Sequence, residues 1–327
     1  MQVKVGFIGA GNMAKGHMRR LAMMADVKLA AFADINQKAA EEAAATYGGR
    51  AYTDHCAMLA DTELDAVFIV LPPFAHGPAE EAVLEKKLPL FVEKPVDLDL
   101  GRAREFAAEI ERLELVSAAG YQERYMEVIR KLKSFLAGRQ VGLFMGYWLG
   151  GTPQVGWWRR KAMSGGQAVE QTTHVFDMVR FLFGEVQAVQ AVGRPGLNPF
   201  NMEGFDVEIA SAANLLMADG TIGTVFSACF VTIPASRPAG IDIFCTDATI
   251  NYKRRHSVLV HTAGQSEEWL NHNQYDLEAV RTFIDAVAQK RPDLVASTYG
   301  DAVRSLEVSL AVNRAMETKE TVSLPLQ

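Results

Sequence analysis

A Gly-x-Gly turn at the end of the first apolar run constrains this chain more than any other feature. VKVGFIG, from Val3, reads as a strand, and GAGNMA, Gly9 to Ala14, follows it directly and opens a helical pattern. Gly9 permits the tight turn and Gly11 lets the backbone approach a pyrophosphate. Ala14 stands where a third glycine often packs the helix on the strand. The helix N-terminus adds N–H groups and a partial positive charge for phosphates. Asp34 ends the second strand, VKLAAFAD, 20 residues beyond Ala14, where an acidic side chain can bind both ribose hydroxyls. A tight βα turn in a protein that binds no nucleotide is the alternative, but strand, turn, helix and spaced acid together favour a dinucleotide. A 2′-phosphate beside Asp34 would be a like-charge contact, and Ile35, Asn36 and Gln37 supply no arginine. The expected cofactor is NAD rather than NADP.

The rhythm that starts there continues to about residue 122. The apolar runs AVFIVLP, PLFVEKP and ELVSAAGY alternate with the helical patterns INQKAAEEAAATYG, AEEAVLEKK and LGRAREFAAEIERL, as in a parallel sheet covered on both faces. Beyond the helix YMEVIRKLKSFLAG the chain turns β-rich. GLFMGYWLGG, EVQAVQAVG, FDVEIASAANLLM, TIGTVFSACFV and GIDIFCTDATINY are long runs, and Asp219-Gly220 is a hairpin turn between two of them. A helix from Gln167 to Phe183 precedes most of these runs. YDLEAVRTFIDAVAQK and DAVRSLEVSLAVNRAME follow them, the first with Leu277, Val280, Ile284 and Val287 on one face. The expected fold is an α/β Rossmann domain, residues 1–122, followed by an α+β domain, residues 123–327, with a large open, mainly antiparallel β-sheet. An open sheet face needs covering, so a homodimer or homotetramer is expected.

Bulk properties remove several classes of function. Apolar residues are 49% and charged residues 22% of 327, an ordinary globular balance. The net charge of −6 and scattered basic residues give no footprint for nucleic acid or an anionic membrane, the one tight cluster being Lys253-Arg254-Arg255. Cys56, Cys229 and Cys245 form no CxxC pair, which suits a reducing compartment and not a thiolate zinc site. AVFIVLPPFA, the longest apolar run, is about half a membrane span and holds two prolines. With no charged-then-apolar leader before VKVGFIG, a soluble, cytoplasmic protein is expected.

Three further stretches carry chemistry. FVEKP, Phe91 to Pro95, closes a strand of the parallel sheet at the end where α/β sheets bind ligands; Lys94 there is a functional ammonium or an ordinary solvated lysine. LPPFAH, Leu71 to His76, places a His at a helix start, as ligand contact or local cap. SGGQAVEQTTH sets Glu170 and His174 four residues apart, and Asp177 follows at the next turn, so one helix would carry all three on one face. A metal site, an acid/base pair and a structural polar seam are all open for that face, although nearby sequence offers no further His or Cys for a metal. Asp177 reads as structural, paired with Arg180.

In this order and spacing, GAGNMA, LPPFAH, FVEKP and SGGQAVEQTTHVFDMVRFLFGE resemble the glucose–fructose oxidoreductase/inositol dehydrogenase (Gfo/Idh/MocA) family over nearly the whole chain. The resemblance implies a Rossmann domain followed by an open-sheet domain, with the lysine of EKP beside nicotinamide and substrate hydroxyl, a role carried to Lys94. The family's helix commonly bears Asp-x-x-x-His, with the His as proton acceptor. Here the His is His174, Glu170 replaces the Asp, and Thr172 replaces a frequent glycine. The catalytic set is therefore Lys94, His174 and Glu170, without a metal. Gly9, Gly11, Asn12, Met13, Asp34, Leu71, Pro72, His76, Glu93, Lys94 and Gln122 are the cofactor-binding set. Trp158, Glu170 and His174 face the substrate. Trp157 and Trp158, in GWWRRK, suit stacking on a sugar ring or burial between domains, and Arg124 suits a contact to nicotinamide or substrate, or a surface or interdomain ion pair. Met13, Met18, Met23 and Met24 also read as helix packing.

The activity this implies is hydride transfer between nicotinamide and a secondary hydroxyl or keto group of a sugar, polyol or inositol. Removing a hydroxyl proton calls for a base such as neutral His, and Lys94 can stabilise the developing alkoxide. Two rivals stand beside it: an NAD-retaining glycoside hydrolase or eliminase using transient oxidation, and a non-catalytic dinucleotide-binding regulator.

Overall fold

The structure is a computed structural model that describes residues 2–195, 198, 201–231, 233 and 238–326. The chain divides into two compact units, residues 1–122 with 274–303 and residues 123–273 with 304–327. The expected division gave everything after 122 to one domain; the return of 274–303 to the first unit differs from it. The cause is the helix Tyr275–Gln289, whose Val280, Phe283 and Ile284 are buried in the first unit's core.

In the first unit β1 (Val3–Ile8), α1 (Asn12–Ala22), β2 (Val27–Ala33) and α2 (Gln37–Tyr47) follow one another. Next come β3 (Arg50–Tyr52), α3 (His55–Asp61), β4 (Ala66–Ile69), α4 (Pro78–Glu85), β5 (Leu90–Val92), α5 (Leu100–Arg112) and β6 (Ser117–Ala119). The strands pair in parallel in the order β3-β2-β1-β4-β5-β6, the order of dinucleotide-binding sheets. Phe7, Phe68 and Phe91 are register partners on adjacent strands β1, β4 and β5. They stack at 5.0 and 4.7 Å, and Phe283 closes on Phe68 and Phe91 edge-on. Burying each ring is worth about 1.5–3 kcal/mol, with about 0.5–1.5 kcal/mol more for a well-oriented aromatic pair. The short β3 and α3 were not read from sequence; Asp54 starts α3 by accepting from the Cys56 and Ala57 N–H groups.

The second unit contains α6 (Glu127–Leu136), β7 (Val141–Leu149), α7 (Lys161–Ser164), α8 (Gln167–Glu170), α9 (Thr173–Phe183), β8 (Val186–Arg194), β9 (Ala210–Met217) and β10 (Ile222–Ala228). After them come β11 (Ala239–Cys245), β12 (Ala248–Lys253), β13 (Ser257–Thr262) and β14 (Gln265–Leu270). The helix of the first unit already described is α10; α11 (Tyr299–Thr318) begins in the first unit and ends in the second, before β15 (Val322–Ser323). Among the described residues the strands form one sheet in the order β14-β13-β12-β11-β7-β10-β9-β8-β15, antiparallel except for β7 with β10. The expected Asp219-Gly220 hairpin joins β9 to β10, with Gly220 at φ +90° and Thr221 N–H on Asp219. GIDIFCTDATINY is two strands, β11 and β12, rather than one. Helices α6, α8 and α9 pack on one face; Leu143, Leu216, Ile222 and Phe226 remain exposed. Glycine at 146 lets α9 come close to β7, because a Cβ there would stand 2.7 Å from Val175 Cγ1.

The expected single helix from Gln167 to Phe183 is broken. The Thr172 N–H reaches back five residues to Gln167 and the Val175 N–H only three, to Thr172. The turn loosens and then tightens at a Thr-Thr pair of modest helix propensity. Glu170 ends one helix and His174 lies in the first turn of the next, so no single helix carries Glu170, His174 and Asp177; only His174 and Asp177 share one.

Candidate active site

The glycine turn is built for a phosphate. Gly9 has φ +95°, and a Cβ on it would stand 2.2 Å from the Val70 carbonyl oxygen, so only glycine fits. Gly11 has an ordinary φ of −70°. Nothing lies within 4 Å of where its Cβ would be. Gly11 also caps α1 without a side-chain hydrogen bond, so the first-turn N–H groups, which lack intrahelical acceptors, face an open cradle. Asn12 and Met13, at the start of α1, are exposed. Asp34 is fixed at both oxygens: Oδ2 accepts from Ala10 N–H at 2.7 Å and Oδ1 from Asn36 N–H at 2.8 Å. These groups fit an NAD pyrophosphate and ribose.

The neighbouring strand ends complete this edge of the first unit. Val70 N–H bonds Ile8 O, and Glu93 N–H bonds Ile69 O, so the chain beyond β4, Leu71 and Pro72, and the chain beyond β5, Lys94, leave side by side from the sheet's C-terminal edge. Leu71, Pro72 and Lys94 are half-buried, as is Gln122 at the end of this unit.

Two residues given to the cofactor are committed elsewhere. Glu93 is buried, and its Oε1 meets His17 Nε2 at 2.7 Å. Burial pushes its carboxyl up, but the His17 hydrogen bond and charge, with Lys94's charge, hold it below the ordinary range. The Lys94 N–H donates to the same carboxylate. His76 has a fully buried side chain whose Nδ1 meets Glu80 Oε1 at 2.6 Å. Burial opposes its charging, yet Glu80's charge and hydrogen bond outweigh it and raise the imidazole above its ordinary pKa. His76 joins the Leu71–His76 turn to α4 through Glu80. His17, unremarked in sequence, lies on the apolar face of α1 with Ala14, Met18 and Leu21. Met18 is fully buried and Met24 packs on the core, whereas Met13 and Met23 are exposed, so packing explains only half the methionines.

In the second unit Trp158 is 0% exposed and packs with Val207, Ile209 and Cys229. It has no open face for a sugar, which corrects its substrate assignment. Its indole N–H instead donates to Glu170 Oε2 at 2.7 Å, fixing that carboxylate from behind. His174 stacks on Trp148, ring centres 5.7 Å apart and planes at 13°. Asp177 is anchored by residues of other elements. It takes a two-point salt bridge from buried Arg124, at 2.9 and 2.6 Å, and a hydrogen bond from Ser305 Oγ. Arg180 reaches Glu185 past the turn at Gly184 and donates to Ser305. Arg124 thus makes an ion pair, but a buried one within this unit rather than the surface or interdomain pair expected. The basic cluster is not a free patch either, since Arg254 and Arg255 both pair with Glu123. The three cysteines are free thiols; burial pushes that of Cys229 up to about 11. Among the described residues no helix is long and apolar enough to cross a membrane.

Comparison with known proteins agrees with this geometry. A family model described as "Oxidoreductase family, NAD-binding Rossmann fold" matches residues 3–121, and the GFO/IDH/MocA C-terminal domain model matches residues 139–251. An uncharacterized oxidoreductase of Bacillus subtilis (strain 168), YrbE, is 28% identical over 215 residues, covering 64% of this chain and 62% of the relative, less than two thirds of its length. A myo-inositol 2-dehydrogenase of Thermotoga maritima is 25% identical across 98% of both chains. A levoglucosan dehydrogenase solved with NADH and levoglucosan shares the fold, with TM-score 0.89, 20% identity and full coverage of both chains. With both of its domain models matched in order, the chain belongs to the Gfo/Idh/MocA family of oxidoreductases, and residues 3–121 are its NAD-binding Rossmann fold.

Proposed function

We propose that this protein is an NAD-dependent dehydrogenase or reductase acting on a secondary hydroxyl/keto pair of a sugar, polyol or inositol-like substrate. The observation that carries the reading is Lys94, which leaves the C-terminal edge of the Rossmann sheet one residue after a carboxylate anchored to α1. Relatives named as inositol dehydrogenases support the substrate class. Bound NAD supplies the hydride acceptor. Lys94 hydrogen-bonds the substrate oxygen and stabilises the negative charge that develops there. His174 takes the hydroxyl proton as the C–O bond becomes a carbonyl, and returns it in the reverse direction. Asp34 holds the adenosine ribose, and the Gly11 cradle takes the pyrophosphate. Glu170, aimed by Trp158, contacts a substrate hydroxyl.

The test is a panel of sugars, polyols and inositols with NAD, followed by NADH absorbance. With the substrate found, Lys94→Ala or His174→Ala should leave NAD binding intact and cut turnover at least about 100-fold. Near-normal turnover in both variants refutes the mechanism. NAD that survives dialysis, with no net NADH during turnover, would instead favour the hydrolase or eliminase reading.

The exposed Leu143, Leu216, Ile222 and Phe226 on the strands of the second unit support a homodimer or homotetramer, which light scattering on the purified protein would test. A cytoplasmic site accords with three free cysteines.

A further inference from the structure

The basic cluster at 253–255 has so far no part in the chemistry, yet one of its members lies two contacts from His174. Phe144, Gly146 and Trp148 alternate along β7 on its helix-packed side, where Phe144 stacks on Phe183, Gly146 admits Val175 and Trp148 meets the His174 ring. The guanidinium of Arg254 lies over the same Trp148 indole, 4.4 Å from its centre. Arg254 is itself held by an ion pair with Glu123. That carboxylate also accepts from Tyr252 Oη at 2.9 Å and Arg255 Nε at 3.3 Å. The second unit thus contains a continuous chain: Glu123 pairs with Arg254, Arg254 covers Trp148, and Trp148 lies nearly parallel to the imidazole.

We propose that Trp148 and Arg254 are positioning residues for His174, acting by fixing the orientation of its ring. The inference rests on the reading of His174 as proton acceptor. An imidazole turns easily about its last side-chain bond, where the torsional wells are broad. Proton transfer, however, needs hydrogen-bond reach of one ring nitrogen. A flat indole parallel to the ring removes the turning freedom. A guanidinium over the indole, anchored by a carboxylate, keeps the indole from swinging away. Neither residue needs to touch the substrate.

The experiment uses Trp148→Leu, Trp148→Phe and Arg254→Met, each alone and with His174→Ala. A misplacement of about 1 Å can cost 10²-fold in rate, so Trp148→Leu should lower kcat roughly tenfold to hundredfold and Arg254→Met roughly tenfold. KM should stay within about twofold, because uniform binding is untouched. Trp148→Phe, which keeps a flat ring, should retain most of kcat. In the His174→Ala background Trp148→Leu and Arg254→Met should cost nothing more. The His174 ring protons, shielded by the indole, should move downfield in Trp148→Leu but little in Trp148→Phe, which reports the stack without any turnover. An equal loss of kcat in both backgrounds would overturn the inference, as a purely structural role predicts, and so would unchanged kcat in Trp148→Leu beside an inactive His174→Ala. Full turnover in His174→Ala would instead refute the reading of His174 itself.

Discussion

Asp177 offers the sharpest test of how the second unit holds its candidate base, because it lies one turn along α9 from His174 and is bound by Arg124 and Ser305. Arg124 and Asp177 are 5% and 2% exposed at their side chains, so solvent and salt do little to screen them. Replacing Asp177 by Asn keeps its shape and removes a counter-charge from a buried guanidinium. It also weakens the acceptor for Ser305 Oγ. Breaking a buried pair on one side costs about 3–5 kcal/mol. For a unit of this size each kcal/mol moves the melting temperature by about 2–4 °C. Asp177→Asn should therefore melt roughly 6–20 °C lower. All four tryptophans, Trp148, Trp157, Trp158 and Trp269, belong to the second unit, so thermal melting followed by indole fluorescence reads the right half of the chain. Removing both charges, Arg124→Met with Asp177→Leu, should recover much of the loss, since an apolar pair of similar volume is often as stable. The recovery will stop short because Ser305 loses its acceptor, a cost of about 1–3 kcal/mol. A shift below about 2 °C in Asp177→Asn, or a double variant worse than either single one, would refute the assignment of α9's anchor to this pair.

Other consequences test the first unit. Gly11→Ala should fold with stability within about 0.5 kcal/mol of the parent, because nothing stands near the new Cβ, yet should bind NAD at least about tenfold more weakly by filling the cradle; Gly9→Ala, with a carbonyl oxygen 2.2 Å away, should fail in stability first, and calorimetry with NAD titration separates the two. Asp34→Ala should weaken NAD and narrow the gap to NADP, since hydrogen bonds to a charged group are worth about 1.5–3 kcal/mol each; a parent enzyme equally active with both cofactors would contradict the role given to Asp34. His76, raised by Glu80 against its burial, stabilises the fold fully below its unfolded pKa of about 6.5, and that contribution is lost as pH rises through the higher folded value. Hydrogen exchange in β4 and α4 should therefore quicken across that window beyond its intrinsic rise, and His76→Gln should abolish the extra dependence.

The features legible in the sequence are those whose physics is local. A glycine turn, a helix start and an acid at a strand end constrain each other over some thirty residues, so GAGNMA and Asp34 could be read before any coordinates. FVEKP could be placed at a strand end for the same reason. What escaped reading depends on partners far along the chain. His17 and Glu93 are 76 residues apart, Arg124 and Asp177 53, and Asp177 and Ser305 128, and no periodicity reports such pairs. The helix α10 escaped its domain because its apolar stripe at 277, 280, 284 and 287 marks a buried face without naming the core that buries it. Trp158 was misread for a similar reason: a loop position in a glycine-flanked stretch says nothing about the Val207, Ile209 and Cys229 that close over it.

Two glutamates show what residue type alone leaves out of a carboxylate's surroundings. Glu93 and Glu170 both sit in stretches that carry candidate catalytic residues, and both looked like direct contacts for cofactor or substrate. Each turns at least one oxygen to a buried donor of its own unit, His17 for Glu93 and the Trp158 indole for Glu170. A carboxylate taken out of water is costly unless such donors meet it, so these partners are conditions for having the charge there at all. They also remove the freedom of long side chains that would otherwise have to be frozen when ligand arrives. Glu93 has spent both oxygens inside its unit, one on His17 and one on the Lys94 N–H, and so acts on the backbone that carries the lysine. Glu170 keeps its second oxygen outside the Trp158 bond. Trp158, closed off by Val207, Ile209 and Cys229, thus acts on Glu170 through its indole N–H alone.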